Sequence, residues 1–149
     1  MSQTLHRLVY LSRNEMIGTT EEIAAEVQRI LAVSRRRNFS AGITGALMFN
    51  AGCFAQVLEG RLAAVSDTFE RIQRDPRHSD VSVLEFEPIS ARSFPDWSMA
   101  YVGQNDRSDA ILSTLAGLGS IDAAALRASS VLENLEQIVR DEDALIAVG

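Results

Sequence analysis

With 149 residues, 46% of them hydrophobic and 23% charged, the chain is long and apolar enough to bury the core of one globular domain. A formal charge of -6 argues against nucleic acid or an anionic membrane surface as a partner chosen by bulk charge. The single cysteine, Cys53, excludes an intrachain disulfide framework and a multi-cysteine metal site; with no apolar run near the roughly 18–20 residues that cross a bilayer and no apolar signal region after Met1-Ser2-Gln3-Thr4, a cytoplasmic protein is expected.

In chain order, Leu5 to Leu11 reads as a strand whose run Leu8-Val9-Tyr10-Leu11 suits a central position, buried on both faces. After a loop from Ser12 to Gly18, Thr19 and Glu22 have the spacing of a capping box. Ile23, Val27, Ile30 and Leu31 then share one helical face, and this helix is expected to fade near Arg37-Asn38. Ala46 to Phe49 and Phe54 to Glu59 form a hairpin about the turn residues Asn50-Ala51-Gly52. Leu62, Val65, Phe69 and Ile72 mark a second helix that ends at Asp75-Pro76. Val81 to Phe86 makes another strand, and Trp97 to Val102 a short last one.

This order predicts an α+β fold of ferredoxin-like type, β-α-β-β-α-β with one further strand, in which two helices cover one face of a mixed sheet. The apolar periodicities around Ile111, Leu115 and Leu118 and around Val131, Leu135 and Ile138 predict a helical hairpin over the other face or against a second subunit.

Classical catalytic signatures are missing: there is no phosphate loop, no nucleophile elbow and no metal-ligand spacing, and the two histidines, His6 and His78, lie far apart. What stands out is polarity where the pattern predicts core. On a period of two, Gln56 shares a face with Phe54 and Leu58, and each polar group of a buried amide left unpaired costs roughly 1–3 kcal/mol. Tyr10 sits mid-strand and Asn38 at a helix end. Singly, each has a structural explanation: a satisfied core amide, a core ring, a helix C-cap. Jointly they point to a planar, polar-edged ligand, because the split topology places the first and third strands side by side and brings Tyr10 within reach of Gln56. Asp75-Pro76-Arg77-His78 reads either as a helix terminus with favourable charges or as a contact to a phosphate tail.

The segments Leu8-Val9-Tyr10-Leu11-Ser12, Asn38 with Gly42-Ile43-Thr44-Gly45, Gln56-Val57-Leu58-Glu59-Gly60, Asp75-Pro76-Arg77-His78 and Phe94-Pro95-Asp96-Trp97-Ser98-Met99, in this order, resemble the BLUF family of flavin-based blue-light sensors. The resemblance covers about residues 5 to 103 and is to the short, stand-alone type. It implies a photosensor domain over residues 1–103 and a helical extension over 104–149, with no cyclase or phosphodiesterase attached. Output would then pass to another subunit or a separate protein.

The resemblance also implies a non-covalent flavin, FAD with FMN as the alternative, held between the two helices. Asn38 would bind the ring's polar edge with Arg37 beside it, and Ile23, Val27 and Phe54 would contact the ring. Arg77 and His78 would sit at the ribityl-phosphate end, with Asp75 orienting that turn. In the implied mechanism Tyr10 donates an electron and then a proton through Gln56, whose amide rotates or changes tautomer without net reaction. Trp97 and Met99 would relay the change to the C-terminal helices. The chain would not be an enzyme, and self-association through the sheet or those helices is expected. Two alternatives use the same residues: a small enzyme binding a phosphate ester through Arg77 and Asn38, and a flavin-free interaction module. Ala55 departs from the family's pattern, which tends to carry a larger apolar residue there.

Overall fold

The computed structural model describes residues 4–49, 52–102, 131–133, 135 and 137. Its elements are β1 (Leu5–Asn14), α1 (Thr20–Ala41), β2 (Thr44–Phe49), β3 (Cys53–Arg61), α2 (Leu62–Gln73), β4 (His78–Ile89) and β5 (Ala100–Val102). The sheet order is β4-β1-β3-β2-β5, antiparallel except where β5 runs parallel to β2. This is the expected α+β split unit with a mixed sheet.

Strand alternation divides the core in two. Leu8, Tyr10, Phe54 and Leu58 pack with Val27 and Leu31 of α1 and Val65 and Phe69 of α2. Val9, Ala46, Ala55 and Val57 face the other way and pack with Val131 and Leu135. Residues 131–133, 135 and 137 are helical, so helical residues do meet the second face; the expected hairpin as a whole, with Ile111, Leu115, Leu118 and Ile138, lies outside the described residues.

The ends of several elements differ from expectation for local reasons. β1 and β4 run further than their apolar runs because the ladder continues through polar residues to the pair Asn14 and His78. The ladder shifts register between Leu11 and Arg13, where Asp80 of β4 takes φ 50, a left-handed conformation that aspartate tolerates. α1 does not fade at Arg37-Asn38 but continues to Ala41, where Gly42 at φ 72 ends it with its N–H on the carbonyls of Asn38 and Phe39. Asn38 is therefore inside the last turn, and its side chain is free of capping duty. The last strand is shorter than expected: Trp97 to Met99 form its approach, because Trp97 O accepts from Gly45 N at 3.0 Å while the next carbonyls turn toward α1. Gly45 is required there, since a Cβ would lie 1.9 Å from the Val57 carbonyl oxygen.

Candidate functional site

Between α1 and α2, above the centre of the sheet, lies a cleft of about 380 Å³. Its floor is Tyr10, Leu47, Phe54, Gln56 and Leu58; α1 contributes Ile30, Val33, Ser34, Arg37 and Asn38, and α2 contributes Thr68, Arg71 and Ile72. Asp75, Arg77 and His78 line it as well, from the turn into β4. The helix spacing explains the walls: Ile30, Ser34, Arg37 and Asn38 recur at three- and four-residue steps, as do Thr68, Arg71 and Ile72.

The β1–β3 register sets Tyr10 directly opposite Gln56. The Tyr10 hydroxyl donates to Gln56 Oε1. Burial, reinforced by the negative Asp75, pushes the phenol well above its ordinary pKa, so it stays protonated and a donor. With Oε1 taken, Gln56 Nε2 points the other way, to Met99 Sδ at 3.5 Å. The whole row is buried: Tyr10 is 3%, Gln56 5% and Met99 1% exposed. Asn38, 2% exposed, donates from Nδ2 to Ser98 O at 2.8 Å.

His78 stands beside this row, its ring centroid 6.2 Å from that of Tyr10 and 6.1 Å from that of Phe54. Its Nε2 lies 2.6 Å from the Ile72 carbonyl, which can only accept, so Nε2 carries the proton and Nδ1 accepts from Ser12 Oγ at 2.7 Å in the neutral ring. Arg77 is held by two carboxylates: Nη2 is 2.5 Å from Asp75 Oδ2 and Nη1 2.7 Å from Glu26 Oε1. Hydrogen bonds from Arg77 hold Asp75 below the usual carboxylate range, and those from Arg29 and Arg77 do the same for Glu26. The stability these pairs contribute is complete above the ordinary carboxylate pKa and lost as pH falls through the lowered values. An acid series of melting curves should show this loss in the wild type and less of it in Asp75→Asn.

Of the residues singled out in the sequence, Tyr10, Arg37, Asn38, Phe54, Gln56, Asp75, Arg77 and His78 line the cleft. Ile23 and Val27 are not among its lining residues: Val27 is buried in the core under the helices and Ile23 packs against it. Trp97 and Met99 part company across the sheet, Met99 beside Gln56 and Trp97 against the opposite core. Leu47, Leu58, Ile30, Thr68 and Arg71 are wall residues that the sequence reading does not single out, although Leu58 follows Gln56 by two along the strand, Ile30 lies two turns before Asn38, and Leu47 stands opposite Gln56 in the β2–β3 register.

The other omission is Glu59, fully buried at 0% exposure on the face away from the cleft. It accepts from Arg7 Nε at 2.9 Å, Ser93 N at 2.9 Å and Phe94 N at 3.0 Å, and so fixes the chain between β4 and β5. Its register opposite Arg7 was the available signal.

An apolar slot with two buried amides at its floor and wall, and arginines at its sides, fits a planar heteroaromatic ring with hydrogen-bonding edges and an anionic tail. The comparisons agree with that chemistry. Residues 5–100 match the family described as "BLUF: Sensors of blue-light using FAD". The photoactivated adenylate cyclase subunit beta of Euglena gracilis is 35% identical over 97 residues, which is 64% of this chain but 11% of that protein. The chain thus matches only a small part of the curated relatives' length. The dark-state structure of BlrB, a BLUF protein, superposes with a TM-score of 0.71 at 32% identity over 92% of this chain and 98% of that one. The ground state of BlsA does so with a TM-score of 0.71 at 30% identity, covering 89% and 87%. With the family matched over most of the chain and the split α+β fold shared, the protein belongs to the BLUF family of blue-light flavin sensors.

Proposed function

We propose that this protein senses blue light by rearranging the hydrogen bonds of Gln56 in response to a flavin, FAD in the first instance, bound between α1 and α2. The observation that carries this reading is the buried row from the Tyr10 hydroxyl through the Gln56 amide to the Met99 thioether on the cleft floor. When bound, the flavin supplies the absorption of blue light and a photo-excited electron acceptor. Tyr10 serves as electron and proton donor, its O–H already donating to Gln56 Oε1, and takes both back, so that no net reaction results. The amide has a donor end and an acceptor end, so exchanging them inverts the local hydrogen-bond polarity without moving the strand. After the exchange the Tyr10 hydroxyl faces an N–H and must accept, while Met99 faces an oxygen it cannot satisfy. The mismatch is the signal.

Asn38, Arg37 and Phe54 would hold the ring, and Asp75, Arg77 and His78 the ribityl-phosphate side. Because Asp75 and Glu26 occupy Arg77, its contact with a phosphate requires that knot to loosen; Arg37 and Arg71, on facing helices, offer further cations. The same occupation weakens the phosphate-ester enzyme reading, which needs Arg77 available. Residues 1–103 would form the sensor, and the change at Met99 would travel through β5 to the C-terminal helices and on to a partner subunit or a separate cytoplasmic protein.

The purified protein should be yellow, and blue light should shift its flavin absorption slightly to the red, reversibly and with the flavin still oxidised. A colourless protein, or one that only bleaches, would refute the proposal.

A further inference from the structure

The connection from β4 to β5, residues 90–99, is held at its two ends by different chemistry. At the start, the buried Glu59 carboxylate takes the N–H groups of Ser93 and Phe94, and Arg92 donates to Thr44 Oγ1 at 2.8 Å, Glu59 O at 2.9 Å and Gly42 O at 2.8 Å. Phe94 is 2% exposed in the core on that side. At the other end, successive carbonyls are held by α1: Ser98 O accepts from Asn38 Nδ2 at 2.8 Å and Met99 O from Arg35 Nε at 3.0 Å. Arg35 and Asn38 are one turn apart on the same side of the helix, so together they grip adjacent peptide units. Beyond that grip the Met99 side chain meets Gln56 Nε2.

These two holding residues differ in one respect. Asn38 lines the cleft and is buried, whereas Arg35 is not among the lining residues and is exposed. The geometry points to Arg35 as a positioning residue of the light response: by holding the Met99 carbonyl it keeps the Met99 thioether against Gln56, and that hold yields and re-forms as the amide exchanges its ends. The inference rests on the sensor reading above. The end of the connection that yields is this one, because one of its two anchors, Arg35, is exposed, whereas the other end is fixed by a fully buried carboxylate. Arg35 thus couples the segment before β5 to the helix that walls the cleft, without touching what the cleft holds.

Trp97, the chain's one tryptophan, lies two residues before Met99 and is half-buried, so its fluorescence reports on this segment. The test compares the flavin-loaded full chain with Arg35→Met, which keeps a side chain of similar reach but has no donor, and with Arg35→Lys, which restores one. Flavin content should be equal in all three. In the dark, acrylamide quenching of Trp97 should rise in Arg35→Met toward the value of the illuminated wild type, and recovery after a blue pulse should slow roughly three- to tenfold, the range a charge-assisted hydrogen bond on an exposed side chain supports. Arg35→Lys should recover most of both. Wild-type quenching and recovery in flavin-loaded Arg35→Met would overturn the inference, and so would loss of flavin from that variant, which would assign Arg35 to the cofactor's hold. A wild type without any reversible red shift would instead refute the sensor reading and this inference with it.

Discussion

Gln56→Leu is expected to give a protein that still binds flavin and no longer shifts its absorption under blue light. Leucine fills a similar volume on the cleft floor between Phe54 and Leu58, so the slot keeps its shape. What disappears is the only group in the Tyr10–Met99 row that can exchange donor and acceptor ends. The Tyr10 hydroxyl is then buried without its acceptor, at a cost of about 1–3 kcal/mol visible in a denaturant titration. Tyr10→Phe should remove the same response by deleting the proton itself, slowing formation of the shifted state by on the order of 10²-fold or more. Combining the two should cost less stability than the sum of the singles, because the orphaned hydroxyl vanishes. A red shift of normal size and lifetime in flavin-loaded Gln56→Leu would remove Gln56 from the mechanism.

Glu59→Ala is the substitution expected to cost most stability. It leaves the Arg7 guanidinium, 12% exposed, without its closest carboxylate, and it strips the acceptor from two backbone N–H groups, one of them buried. Removing one partner of a buried ion pair costs about 3–5 kcal/mol. A domain of this size has a total of about 5–15 kcal/mol, so the melting temperature should fall by roughly 10 °C. The Arg7→Met, Glu59→Leu double variant should be less damaged than Glu59→Ala, since no uncompensated charge remains buried. A loss under about 1 kcal/mol in thermal or urea unfolding would show that the Ser93–Phe94 backbone is held by other means.

The fold is legible in this sequence wherever one face of an element is apolar. Alternation in Phe54, Gln56 and Leu58 sets the strand, and the split topology brings Tyr10 within reach of Gln56; the register then sets them directly opposite. What periodicity does not reveal is where a side chain's hydrogen bonds go. Asn38 reads as a helix end, yet the stop signal is Gly42, and Asn38 turns to Ser98 instead. Trp97 and Met99 read alike as relay residues, but their spacing of two would place them on one face only within a regular strand; the approach to β5 is irregular and sends them to opposite cores. Arg77 reads as a helix-terminus charge or a phosphate contact, and its pairing with Glu26 is hidden because that carboxylate is remote in sequence. Glu59 looks like one more surface acid until the β1–β3 register puts Arg7 beside it.

That register has a consequence for how the chain can vary. β3 is a wall shared by two interiors: Gln56 looks toward the cleft, while Ala55 and Val57 look toward Val131 and Leu135. A single residue inserted in the hairpin between Phe49 and Phe54, if absorbed by sliding β3 one step, would exchange the two sets. The cleft would gain a methyl group and an isopropyl group, and the amide would be stranded in the dry interior opposite. The slide would also bring Glu59 to the place of Gly60, against Ile43. Length changes at this turn are therefore tolerable only as loops that bulge outward, and a homologue or design with an odd insertion there can keep its helices and its slot and still be blind.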